Sequence, residues 1–134
     1  MKSVLRLAIL SLTLSAPAHA EEVQTNPLSL EVATGQIMIC DTQKQVERFV
    51  TFSHITGSAS SAIKAVNTEA ENPTACGIVD AAYLRGAAVD IKRTATEAFE
   101  IVPIIVVATG TPEGMRPTAP ALFFTLVKIN EVAV

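Results

Sequence analysis

The stretch QIMICDTQKQVERFV, residues 36–50, holds the switch that sets the fold class. Ile37, Met38 and Ile39 stand in a row before Cys40, a short apolar run of the kind a buried strand makes. Asp41-Thr42 stops it. Thr42 and Gln45 have the spacing of a capping box, in which the hydroxyl accepts from the first helical turn and the glutamine side chain reaches back to the cap. Asp41 adds negative charge beside the positive helix end. Val46, Phe49 and Val50 then fall at i, i+3 and i+4, an apolar stripe backed by Gln43, Lys44, Glu47 and Arg48. Strand therefore gives way to helix, and that helix is expected to end near Ser53, leaving His54 in a turn.

Downstream, Ser58 to Ser61 reads as a loop and cap, and Ser61 to Glu69 as a second helix with Ala62, Ile63 and Val66 inward. Asn72-Pro73-Thr74 breaks it. From Cys76 the period changes. Ile78–Leu84 and Val89–Thr94 read as strands separated by a turn at Arg85-Gly86. Phe99–Val107 reads as a longer strand, in which Pro103 marks an edge or bulge and an expected bend. Thr109–Pro120, rich in glycine and proline, reads as a loop before a last strand over Leu122–Val132. The expected fold is α+β: a mostly antiparallel sheet of four to five strands, two N-terminal helices on one face, and one disulfide. A small, partly closed β-barrel with a helical insertion is the alternative, because the long strand is bent.

Upstream, residues 1–20 have the three parts of a signal peptide. Lys2 and Arg6 precede the apolar stretch Leu7–Leu14, and Ala18-His19-Ala20 places small residues at the cleavage positions. Cleavage is expected between Ala20 and Glu21, giving a periplasmic or secreted protein. The apolar stretch is short of the roughly 20 residues of a membrane-spanning helix. Position 21 is not cysteine and no arginine pair precedes the apolar stretch, which favours the ordinary secretory route. Residues 21–34 read as a tether, with a short strand around Leu28 to Val32, and 35–134 as one domain. No transmembrane segment is expected in the mature chain. Without Lys2 and Arg6, eight basic residues stand against thirteen acidic ones. That balance opposes nucleic acid as a partner.

Cys40 and Cys76 are the chain's two cysteines, and in an oxidising compartment an even count reads as a disulfide. A metal site using Cys40, Cys76 and His54 is the competing reading, but it lacks a fourth ligand and a close Cys-x-x-Cys pair. No phosphate loop, dinucleotide fingerprint or zinc motif is present, and no cofactor or metal is assigned. Ser53 beside His54 is not a dyad on adjacency alone, since the fold sets the geometry; no catalytic residue is assigned. Glu69, Glu71, Glu97 and Glu100 read as solvated surface charge. Asp80 stands among apolar neighbours; if buried it needs a partner, for which Arg85 and Lys92 are the candidates, and a structural ion pair is the reading favoured over a site carboxylate. The 109–120 loop is the candidate working surface, with Met115 and Arg116 as the candidate interaction residues, types enriched at interfaces.

Ile39-Cys40-Asp41-Thr42, Val46-Glu47-Arg48-Phe49, Asn72-Pro73-Thr74-Ala75-Cys76-Gly77, Ala82-Tyr83-Leu84-Arg85-Gly86 and Phe99-Glu100-Ile101-Val102-Pro103 resemble stretches of small exported proteins of alphaproteobacteria. The resemblance implies a periplasmic location and carries no functional residue. The function expected is therefore a non-catalytic interaction or accessory module with a possible envelope protein partner. A small hydrolase using His54, or a periplasmic small-ligand carrier, are the alternatives.

Overall fold

The computed structural model describes residues 31–129. The expected signal peptide and cleavage site, most of the expected tether and the end of the last expected strand lie outside these residues. The element order is β1 (Val32–Cys40), α1 (Gln43–Thr56), α2 (Ala59–Ala70), β2 (Cys76–Arg85), β3 (Asp90–Arg93), β4 (Ala98–Thr111) and β5 (Gly114–Ile129). The fold is α+β with a five-stranded antiparallel sheet. The helices lie between β1 and β2, and β1 takes in the last residues of the segment read as a tether. No described helix is long and apolar enough to cross a membrane.

Local chemistry explains the helices. Thr42 Oγ1 accepts from Gln45 N–H at 3.2 Å, and Gln45 Oε1 accepts from Thr42 N–H at 3.1 Å. This is the reciprocal cap the spacing predicts. α1 runs past Ser53, because the first left-handed residue is Gly57 (φ 72°), whose N–H donates to Ser53 O. His54 is thus in the last helical turn, not in a following loop. Ser58 caps α2 by accepting from Ser61 N–H, so this helix begins at Ala59, earlier than expected.

Val46 and Phe49 of α1 and Ala62 and Val66 of α2 pack with Cys40, Cys76 and Ile101 in one core. Ala81, Val102, Ile104 and Val106 form a second, joined by Ile37, Val79 and Phe123. Successive strand residues point to opposite faces. Ile101 and Val102 therefore belong to different cores, and β4 is covered on both sides. This accounts for its unbroken apolar run. Each such side chain contributes about 1.5–3 kcal/mol when fully buried.

Pairing is not a simple meander. β1 matches β2 along its whole length, from Val32↔Leu84 to Cys40↔Cys76, and meets β5 only at Cys40↔Phe124. β4 pairs β5 on one edge. On the other it pairs β3 over Ala98–Ile101 and β2 over Ile104–Thr109. Pro103 sits at the hand-over. Its carbonyl accepts from Gly86 N–H at 2.8 Å, and N–H and C=O of an extended residue point the same way. The missing donor therefore falls in the gap between β3 and β2, and no ladder bond is lost. Of the edge or bulge expected at Pro103, it is an open edge between β3 and β2 that stands there, and the bulge is at Val107. That residue has no opposite number on β2, between Tyr83↔Val106 and Ala82↔Ala108. On β5 it faces Thr118, Ala119 and Pro120 together, between Val106↔Ala121 and Ala108↔Pro117.

Residues 109–120 are not a loop. β4 and β5 continue to a tight turn between Thr111 and Gly114, and Thr111 Oγ1 donates to Gly114 O at 2.6 Å. Glycine and proline suggest a connection, but Pro117 flanks the bulge and Pro120 lies in it. There β5 has no strand on its outer edge among the described residues, and a strand edge tolerates proline.

Cys40 and Cys76 are joined as a disulfide with Cα atoms 4.0 Å apart. Asn67 of α2 anchors the same corner. Its Oδ1 accepts from Cys76 N–H at 2.8 Å, and its Nδ2 donates to Cys76 O at 3.0 Å and Pro73 O at 2.9 Å. One side chain thus satisfies both main-chain groups of Cys76, as a neighbouring strand would.

Candidate interaction surface

The β4–β5 hairpin places Met115 opposite Gly110 and Arg116 opposite Thr109. Both are exposed, but as adjacent strand residues they point to opposite faces. Thr109 is in turn opposite Ala81, so Arg116 shares the face of Ala81. Met115 shares the face of Asp80, which lies over Gly110. The structure therefore does not present the two together to a single flat surface, as a loop would have done.

The whole first half of β5, Gly114 to Leu122, is exposed. Its nine residues carry one charged side chain, Arg116. Met115 is 45% exposed and Leu122 60%. The unpaired residues of the bulge, Thr118 to Pro120, lie in the middle.

A second group surrounds His54. Val50, Ser53, His54, Thr94, Thr96, Glu97 and Phe99 line a cleft of about 230 Å³. Sequence reasoning did not connect Glu97 with His54, because only the β3–β4 loop brings it there. Glu97 is held by Lys128 at 3.0 Å. Ser53 Oγ is sealed from solvent and makes no hydrogen bond, to His54 or to any other described residue. A buried hydroxyl without a base is not an activated nucleophile. Asp41 and Asp80 do not line this cleft.

Asp80 is exposed on β2 and makes no ion pair with either candidate partner. Arg85 is taken by Glu100 at 3.0 Å and Lys92 by Asp90 at 3.2 Å. Glu69, read as free surface charge, receives a fork from Arg48, with Nε at 2.9 and 3.2 Å and Nη2 at 2.9 Å. The disulfide removes Cys40 and Cys76 as metal ligands. Two hollows of about 630 and 540 Å³ flank α2 and share Ser60, Lys64 and Thr68. They are open grooves, not the enclosed apolar cavity a carrier of small ligands would use.

Compared with protein-family models, curated proteins and solved structures, the chain matches none.

Proposed function

We propose that this chain is an exported protein-interaction module, working in the periplasm or outside the cell, that contacts an envelope protein through the first half of β5. The observation that carries the reading is the run Gly114–Leu122, exposed throughout with Arg116 as its one charge. The Cys40–Cys76 disulfide supports an oxidising compartment. The strands beneath are well paired, so the arm is held in shape before it binds and loses little freedom on docking.

Site-specific photocrosslinking in the native cell tests this. A photoreactive residue is placed in turn at positions 115, 116, 119 and 122 of the full chain, with Lys64 on α2 as control. Adducts to one envelope protein from the arm, and none from position 64, are the expected result. Adducts from α2 alone, or none anywhere, would refute the reading. Because Met115 and Arg116 face opposite ways, a partner seated on one face gives unequal yields at the two positions.

A further inference from the structure

We infer that the arm's partner anchors a basic side chain, lysine or arginine, in the hollow beside Phe123, with its aliphatic stem on Ile39, Val79 and Phe123 and its cationic head at Asp41. The inference rests on the arm being the interaction surface, and it names what the partner inserts there. Phe123 directly follows the exposed run Gly114–Leu122, so the hollow opens at the end of the arm. Its volume is about 270 Å³, under the roughly 300–1,000 Å³ of small-molecule pockets and of a size for one side chain. Ile39 lies opposite Gly77, and Phe124 lies opposite Cys40. Alternation then puts Ile39, Gly77, Val79 and Phe123 on one face, and the three apolar side chains among them pack against the second core. The floor of the hollow is therefore the open end of that core, apolar and only partly buried.

Gly77 points the same way. It pairs with Ile39 in the ladder and is not among the positive-φ glycines, so the backbone does not require glycine there. An added Cβ would meet no atom within 4 Å, so packing within the chain does not require it either. Glycine inside a strand weakens it and marks places where another group approaches closely; here that place is the hollow, which Gly77 lines. Charge selects the group. Asp41 is exposed and is the one charged residue lining the hollow. It forms no ion pair with any described residue. An apolar floor below a lone carboxylate fits a side chain that is apolar along its length and positive at its tip, as lysine and arginine are. An acidic side chain would meet like charge, and a purely apolar one would leave the carboxylate without a partner.

The test uses the full chain in the native cell with the photoreactive residue at position 122. Asp41→Lys, and Gly77→Leu, which fills the hollow, are each expected to lower the adduct at least ~tenfold, the loss typical of an interface hot spot. Glu71→Gln, which removes a charge at the C-cap of α2, should leave it unchanged. Unchanged thermal unfolding of each variant shows that the loss is not one of folding. A photoreactive residue at position 74, on the rim of the hollow, should crosslink beside a lysine or arginine of the partner. Changing that basic residue to glutamate should restore the adduct of the Asp41→Lys chain. If Gly77→Leu unfolds the protein, this exchange of charges decides alone. An adduct that survives Asp41→Lys, or an exchange that restores nothing, overturns this inference while the interaction reading stands. If no arm position gives an adduct in the wild-type background, both fall.

Discussion

Asp80 of β2 lies so close over Gly110 of β4 that a Cβ at position 110 would stand 2.7 Å from the Asp80 Cβ. Opposed side chains on paired strands normally keep their Cβ atoms about 4.5–5.5 Å apart. Glycine is needed here for space, since Gly110 is not among the positive-φ glycines. Gly110→Ala is expected to lower stability by about 1–3 kcal/mol through overpacking, more than the ~0.4–1 kcal/mol an alanine gains in the unfolded chain. Asp80→Gly should recover part of the loss and Asp80→Ala should not, because alanine keeps the offending carbon. Urea unfolding of the single and double variants measures the coupling.

Cys40 is the one residue of β1 paired to strands on both sides, Cys76 and Phe124, and its sulfur bridges to Cys76 beneath both helices. The cysteines are 0% and 3% exposed. The double change Cys40→Ala, Cys76→Ala is expected to cost about 2–5 kcal/mol, read from guanidinium unfolding. A reductant should attack the folded protein only as fast as it opens, so the reduction rate should follow the unfolding rate as denaturant is added.

The Arg48 fork, whose guanidinium also stacks 4.7 Å over Phe52, holds the Glu69 carboxyl below the usual glutamate value, first through its hydrogen bonds and then through its charge. A lowered folded-state value means stabilisation that is present above the ordinary value of about 4.3. It is lost as pH falls through the folded-state value. The pair is exposed, so salt should weaken it. Wild type should melt above Glu69→Gln at pH 7, with the gap closing below about pH 4 and narrowing in high salt. A gap that stays constant across this pH range would mean the ion pair does not hold α1 to α2.

What the sequence disclosed follows the range of each interaction. The Thr42–Gln45 cap and the Val46–Phe49 stripe act within one helix, and both stand where spacing puts them. So does the strand character of Ile78–Leu84 and Phe99–Val107, which alternation and β-branched residues encode locally. Residues 109–120 read as a loop because Gly110, Gly114 and the prolines are turn formers in isolation. Their actual reasons are Asp80 across the sheet, a two-residue turn, and an unpaired edge, and each depends on which strand lies alongside. Residue type marks Met115 and Arg116 as interface formers, but type says nothing of face; only the register with Gly110 and Thr109 separates them. The partners of Glu97 and Glu100, Lys128 and Arg85, likewise depend on register, so the sequence alone reads those charges as generic surface.

Asn67 gave no signal in the sequence, yet it is the side chain whose loss should be felt most at the disulfide corner. Three hydrogen bonds leave its amide, two to the main chain of Cys76 and one to Pro73 O. Cys76 is buried, so water does not readily replace them. A typical intramolecular hydrogen bond contributes about 1 kcal/mol, and a buried group left unpaired costs more. Asn67→Ala is therefore expected to destabilise by about 2–4 kcal/mol, seen in urea unfolding together with faster hydrogen exchange at the Cys76 amide. Asn67→Asp separates the two halves of the contact. It keeps an acceptor for Cys76 N–H, but it turns a negative oxygen toward two carbonyls that need a donor. It should cost at least as much as alanine at pH 7 and recover as the carboxyl is protonated at low pH. If Asn67→Asp instead equals wild type at neutral pH, the carbonyls of Pro73 and Cys76 do not depend on Asn67, and α2 is held to β2 by its apolar contacts through Ala62 and Val66 alone.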